Sequence, residues 1–216
     1  MAADVDMEEI NSNPIVRTAA IRAALDSMAT PERQSVPTLV FLGRLHPIKG
    51  LEIQIETLAL LKARGFRARL RLIGPDSGAG VRIRGLAENL GISGDVDIPG
   101  PMYGDERLAV LRDADAVLLT SHYECFSVTA VETMAVGGAL LATVACNLEG
   151  PAAAGAVVTV PRTTQALADA IVDLCSDHES TQQLRDAATR YAVENLDGRR
   201  TANRVLSFYA EAAALV

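Results

Sequence analysis

The sequence predicts an α/β protein with a doubly wound, mainly parallel sheet and helices on both faces. Three observations lead there. Short runs that read as strands recur along the chain: TLVFLG (38–43), RARLRLIG (67–74), DVDIPG (95–100), DAVLLTS (115–121), ALLAT (139–143) and AVVTVP (156–161). Segments with helical spacing separate most of them, and Gly or Pro punctuates the joins. Strands that alternate with helices pair in parallel through right-handed crossovers, which places helices on both faces.

Taken in order, residues 1–13 read as a frayed lead. Ile15, Ala19, Ile21, Ala23, Leu25 and Met28 then mark a helix opened by Pro14, a residue suited to a first helical position. With the loop 30–37, these residues form a connecting segment, 1–37, ahead of one domain, 38–216. The first strand, 38–43, leads into the loop GRLHPIKG (43–50) and a helix that stops at Gly65. The second strand, 67–74, precedes the glycine-rich loop 74–80 and a helix ending at Gly91. After the strand and turn at 95–100, residues 103–114 read as a short helix capped by Asp105. The strand 115–121 enters a turn, Glu124-Cys125-Phe126-Ser127, and a helix from Val128 to Val136 that Gly137-Gly138 ends. Beyond strand 139–143, residues 144–155 read as a loop. After the last strand, helical patterns cover 164–175, 181–194 and 198–214.

Composition narrows the function. The chain has 216 residues, 49% of them hydrophobic, enough for one sizeable core. No apolar run approaches the roughly 18 residues of a membrane span, and the acidic, polar N-terminus does not read as a signal peptide. A net charge of −7 and a pI of about 5.0 argue against non-specific nucleic-acid binding, so an anionic ligand needs a local basic pocket. Cys125, Cys146 and Cys175 are odd in number, scattered and without a CxxC pair. That pattern fits a reducing, cytoplasmic setting rather than a disulfide or zinc framework.

The chemistry-bearing residues gather where strands end. Ser127 can cap the helix that follows it, and the free N–H groups of that first turn favour an anion. Glu124 and Glu132 bracket the turn with seven residues between them. Arg44 and Lys49 lie in the loop after the first strand, and open α/β sheets bind ligands at that edge. Arg44 offers a two-pronged guanidinium and Lys49 a compact charge for a phosphate.

The spacing of Glu124 and Glu132, with Phe126 and Ser127 between them, resembles the E-x7-E region of retaining glycosyltransferases of the GT-B type, in particular family 4. The segment Gly43-Arg44 to Lys49-Gly50 resembles that family's G-R-x-x-x-x-K-G. The resemblance runs from about Leu39 to Ala214 and corresponds to the second, donor-binding domain, one half of a GT-B fold. It implies transfer of a hexose from a nucleoside-diphosphate sugar to a hydroxyl acceptor, with retention, no covalent nucleophile and no required metal or other cofactor. Arg44, Lys49 and Glu124 are implied to be catalytic. The implied donor-binding set is Gly43, Arg44, Lys49, Gly74, Pro101, Met102, Glu124, Cys125, Phe126, Ser127, Val128 and Glu132. Within it Glu132 would accept from the ribose hydroxyls, Glu124 would face the sugar, and Pro101 and Met102 would lie at the base.

The acceptor-binding domain is expected to be missing from this chain. The isolated domain is therefore expected to be inactive and to need an acceptor-binding domain or subunit, or self-association through the exposed inter-domain face. The alternatives are a catalytically silent nucleotide-sugar-binding subunit and a dinucleotide-dependent oxidoreductase domain. The second is disfavoured because the glycine loop 74–80 follows the second strand and lacks the last glycine of GxGxxG. The chain departs from the family pattern at Gly137-Gly138-Ala139-Leu140, which has no proline, at Asn147-Leu148-Glu149-Gly150-Pro151, where Gly-Gly and Pro-Glu are usual, and at Ala156–Val160. Asp95-Val96-Asp97 and Asp113-Ala114-Asp115 spell the D-x-D of metal-dependent glycosyltransferases, but both fall at strand starts, the wrong end of the sheet for chemistry, and are expected to be helix-end or turn carboxylates.

Overall fold

The computed structural model describes residues 36–196, together with Ser207. The lead and helix expected over 1–37 therefore lie almost wholly outside the described residues, as does the helical pattern 198–214. The elements run β1 (Thr38–Leu42), a 3₁₀ turn (Pro47–Lys49), α1 (Leu51–Ala63), β2 (Arg69–Ile73), α2 (Gly80–Asn89), β3 (Val96–Gly100), α3 (Gly104–Asp113), β4 (Ala116–Leu119), α4 (Val128–Ala135), β5 (Leu140–Thr143), α5 (Glu149–Ala153), β6 (Val158–Val160), α6 (Thr164–Ser176) and α7 (His178–Asn195). The strands form one sheet in the order β3-β2-β1-β4-β5-β6. Every pair is parallel, so the predicted doubly wound, Rossmann-like α/β architecture is the observed one.

Strand alternation sorts the apolar side chains into two cores. Leu39 and Phe41 of β1, Leu118 of β4 and Leu141 of β5 face a core shared with Leu58 of α1, Ile83 of α2 and Ile171 of α6. Val40, Leu42, Val117, Leu119, Leu140 and Ala142 face the other, with Leu108 and Leu111 of α3, Met134 of α4 and Ala188 and Ala192 of α7. Strands buried on both faces account for the near-continuous apolar runs in the sequence.

Three local expectations are corrected. Asp105 does not cap α3: the N-cap is Tyr103, which makes no side-chain cap bond, and Asp105 lies in the first turn, where its charge favours the helix dipole. The stretch 144–155 is not simple loop but holds a 3₁₀ turn, Val144–Cys146, and α5. The helix expected from Thr181 begins at His178, because Asp177 accepts from Ser180 N at 3.0 Å and caps it. The D-x-D carboxylates are structural: Asp95 ends a 3₁₀ turn and Asp113 ends α3, as expected of helix-end groups, and Asp115 lies in the turn before β4, whereas Asp97 falls inside β3. Asp115 accepts from Thr38 N at 2.8 Å, while Asp95, Asp97 and Asp113 pair with Lys62, Arg71 and Arg112.

Arg185 fastens α7 to this frame. Its Nη1 donates to Arg112 O at 2.8 Å and Gly137 O at 3.0 Å, and its Nη2 to Ala114 O at 2.6 Å. One charged fork thus satisfies carbonyls left over at the ends of α3 and α4. Arg185→Ala is expected to cost about 2–3 kcal/mol, the range for bonds to a charged donor. Urea unfolding checks it, and a loss below about 0.5 kcal/mol would reduce the fork to surface decoration.

Candidate functional site

The strand order reverses between β1 and β4, where α1 leaves toward one face and α4 toward the other. The crevice at such a switch point is where open α/β sheets take ligands. Its walls are the loop after β1, residues 43–50, and the turn after β4, residues 120–127. The walls are tied together: His122 N donates to Ile48 O at 2.8 Å, Thr120 Oγ1 donates to Gly50 O at 3.0 Å, and Gln54 Nε2 donates to Thr120 Oγ1 at 2.8 Å. Gly50 has φ of 59°, and a Cβ there would stand 2.4 Å from Thr120 O and 2.5 Å from Arg162 Nη2. Only glycine fits both the backbone and the space.

Lys49 and Glu124 meet directly, with Nζ 2.5 Å from Oε1. Ser121 Oγ donates to the same oxygen at 2.8 Å. Glu124 is buried, and Lys49 is half-buried. Arg44, on the same loop as Lys49, is exposed, and its side chain has no hydrogen-bond or ion-pair partner among the described residues. The sequence therefore proposed two cations for one task, and the fold distinguishes them: Lys49 is committed to a carboxylate and Arg44 is open.

Ser127 caps α4 as expected, accepting from Ala130 N at 3.2 Å. The earlier N–H groups of the first turn have no intrahelical acceptor. Phe126 and Val128 flank the cap and are exposed, as is Cys125, whose thiol donates to Tyr123 Oη at 3.1 Å. Gly74 lies across from Gly43, where a Cβ would come within 1.9 Å of Gly43 O. Its N–H donates to Gly100 O at 2.9 Å, which brings the ends of β1, β2 and β3 side by side. Pro101 is exposed, and Met102 is half-buried against the core of α3 and α4. His46 faces inward to its own turn, its Nδ1 accepting from Ile48 N at 3.1 Å.

Glu132 stands apart from Glu124. It is 2% exposed and pairs with Arg107 of α3, whose Nη2 is 2.5 Å from Oε1. Burial pushes its carboxyl above the ordinary range, and the Arg107 guanidinium opposes that shift. Among the described residues no group of His, Cys, Asp or Glu is placed to hold a metal ion, and no helix is long and apolar enough to cross a membrane.

Sequence reasoning missed Arg107, Ser121, Asn147 and Arg162. Arg162 Nε donates to Thr120 O at 3.1 Å, and its Nη2 lies 3.1 Å from His122 Nε2. Asn147 Nδ2 donates to Glu124 O at 2.5 Å, from a backbone with φ of 53°, the only non-glycine among the described residues in the left-handed region. Its departure from the Gly-Gly expected there was the available signal, since Asn tolerates that conformation and adds a donor. Asn147→Gly keeps the backbone freedom and deletes the bond. Amide exchange over residues 123–127 should then rise roughly fivefold, for about 1 kcal/mol lost, with the sheet unaffected. Unchanged exchange would show that Asn147 does not hold the turn.

Residues 26–191 match the family model described as glycosyl transferases group 1. A D-inositol 3-phosphate glycosyltransferase from Saccharomonospora viridis is 32% identical over 208 residues, covering 91% of this chain and 46% of that protein. The chain spans less than half the length of the curated relatives it matches. Anabaena HepE, solved in complex with UDP, superposes with a TM-score of 0.73 at 20% identity, covering 90% of this chain and 52% of that one. The C-terminal domain of a group 1 family glycosyl transferase, LpcC from Francisella tularensis, superposes with a TM-score of 0.64 at 22% identity, covering 74% of this chain and 87% of that domain.

Proposed function

This chain belongs to the glycosyl transferases group 1 family, and on that premise we propose that it is the donor-binding half of a retaining GT-B glycosyltransferase. The complete enzyme moves a hexose from a UDP-, GDP- or ADP-sugar to a hydroxyl acceptor. The observation that carries this is the convergence, at one switch point, of Arg44, Lys49, Glu124 and the capped start of α4, with Glu132 one turn further on. The UDP complex of HepE, a protein of the same fold, supports a nucleoside diphosphate as the ligand.

Charge builds on the β-phosphate as the glycosidic bond breaks, and fixed cations and N–H donors lower that barrier. Arg44, without a side-chain partner among the described residues, takes the diphosphate in a bidentate contact. Lys49 turns from Glu124 toward the phosphate or bridges both. The N–H groups of Phe126, Ser127 and Val128 add helix-end donors. Glu124, held by Ser121, faces the sugar hydroxyls, and Glu132 accepts from the ribose. In this reading Arg44 and Lys49 carry the positive charge and no metal is required. The domain acts in the cytoplasm and is silent alone, because the acceptor site belongs to another domain or subunit. Ile48, Tyr103, Tyr123, Phe126 and Val128 are exposed, and most lie on the loops that wall the crevice. They favour a covering partner there, whether an acceptor-binding unit or a second copy. The same exposure keeps open the reading of a silent nucleotide-sugar-binding subunit.

Calorimetric titration of the chain with UDP, GDP and ADP tests the proposal. One diphosphate should bind, and Arg44→Ala should weaken it about tenfold or more, the loss of a charge-assisted contact. A folded chain that binds none of the three would defeat it.

A further inference from the structure

Glu132 is a carboxylate almost wholly buried on a largely apolar helix, and an unpaired charge there would be given up. Arg107 supplies the counter-charge from the first turns of α3, directly after the turn 100–103. The contact is one-pronged. Nη2 reaches Oε1, while Arg107 Nε is buried without an acceptor. A two-pronged pairing would occupy both carboxylate oxygens. Here Oε2 has no partner among the described residues, and it is not among the sealed, unsatisfied atoms. The carboxylate is therefore anchored at one oxygen, while the other is unpaired among the described residues and keeps a share of the residue's small remaining exposure.

We infer that Arg107 is the positioning residue for the nucleoside end of the donor: it holds Oε1 of Glu132, so that Oε2 accepts from the ribose hydroxyls. The inference rests on the proposed function, since it deepens the role of Glu132. A protonated Glu132 would keep one acceptor and turn the other oxygen into a donor, losing the two-hydroxyl match. The direction of the Glu132 shift agrees, because burial drives it toward protonation and Arg107 is the group that opposes this. A purely mechanical role, tethering α3 to α4, would change stability but not the choice between a ribose and a sugar lacking those hydroxyls.

The test therefore reads that choice. The nucleoside diphosphate that binds in the titration above, and its 2′,3′-dideoxy form, are titrated into the wild-type chain, Arg107→Met, Arg107→Lys and Glu132→Gln. Wild type should prefer the ribose form by about tenfold or more. Arg107→Met should reduce that preference to near unity by weakening the ribose form alone, and Arg107→Lys should keep part of it. If Glu132→Gln abolishes the preference while Arg107→Met retains it, Arg107 is only a tether and the inference falls alone. If Arg107→Met binds the ribose form more tightly than wild type, Arg107 blocks the carboxylate instead of aiming it. A wild-type chain with no ribose preference overturns the role of Glu132 and the inference with it. Arg107→Lys guards against misfolding, since it keeps the charge and most of the packing.

Discussion

The pairing of β1 with β4 is the constraint on which the rest depends. These strands are distant in sequence yet adjacent at the centre of the sheet, in register at Leu39–Ala116 and Val40–Val117. Their following helices leave to opposite faces, so the two loops at their carboxyl ends part and leave a crevice. The bonds through Thr120, His122 and Gly50, with the Lys49–Glu124 pair, hold that crevice to a fixed width. Gly50 marks the close approach of the two loops, because it turns in the left-handed region with Thr120 O and Arg162 pressed against the place of a side chain. The charged residues thus sit on loops whose separation the buried sheet sets and whose contact a few hydrogen bonds maintain.

Charge is distributed over that frame in matched pairs. The protein is acidic overall, at −7, yet each buried acid of the crevice meets a cation from a different element: Glu124 meets Lys49, and Glu132 meets Arg107. Such pairs gain little over apolar packing, but breaking one leaves an uncompensated charge. A phosphate arriving at Lys49 does not fill an empty positive pocket. It competes with Glu124, whose remaining partner would be Ser121. On the proposed function, binding the diphosphate and freeing Glu124 toward the sugar become one event, whereas Arg44 needs no such exchange.

What the sequence made legible was local. The strands, the stop at Gly65, the cap at Ser127 and the loop cations follow from neighbours within a few residues, where propensity and capping act. The α4 cap could be read because Ser127 and Ala130 lie three apart. Asp105 misled for the same reason: an acid early in a helix looks like a cap, but its position one residue inside leaves it only the dipole to favour. Arg185, Arg107 and Asn147 were not legible, since their partners lie 23 to 73 residues away. A cation on a helix reads as a solvated surface group until the fold shows what it faces.

The two ends of the crevice differ in completeness, and this bears on what the chain can do by itself. On the proposed function, the nucleoside end is closed within the chain: Glu132 is buried, its counter-ion is in place, and Met102 packs onto the core beneath α3. The end that would take the sugar is open: Tyr123, Phe126 and Val128 are exposed near Glu124 in the chain. Apolar side chains in that position gain burial only when another surface meets them. On the proposed function, recognition of the nucleotide is a property of this chain. Exclusion of water and delivery of the acceptor, which transfer also requires, depend on whatever covers that edge.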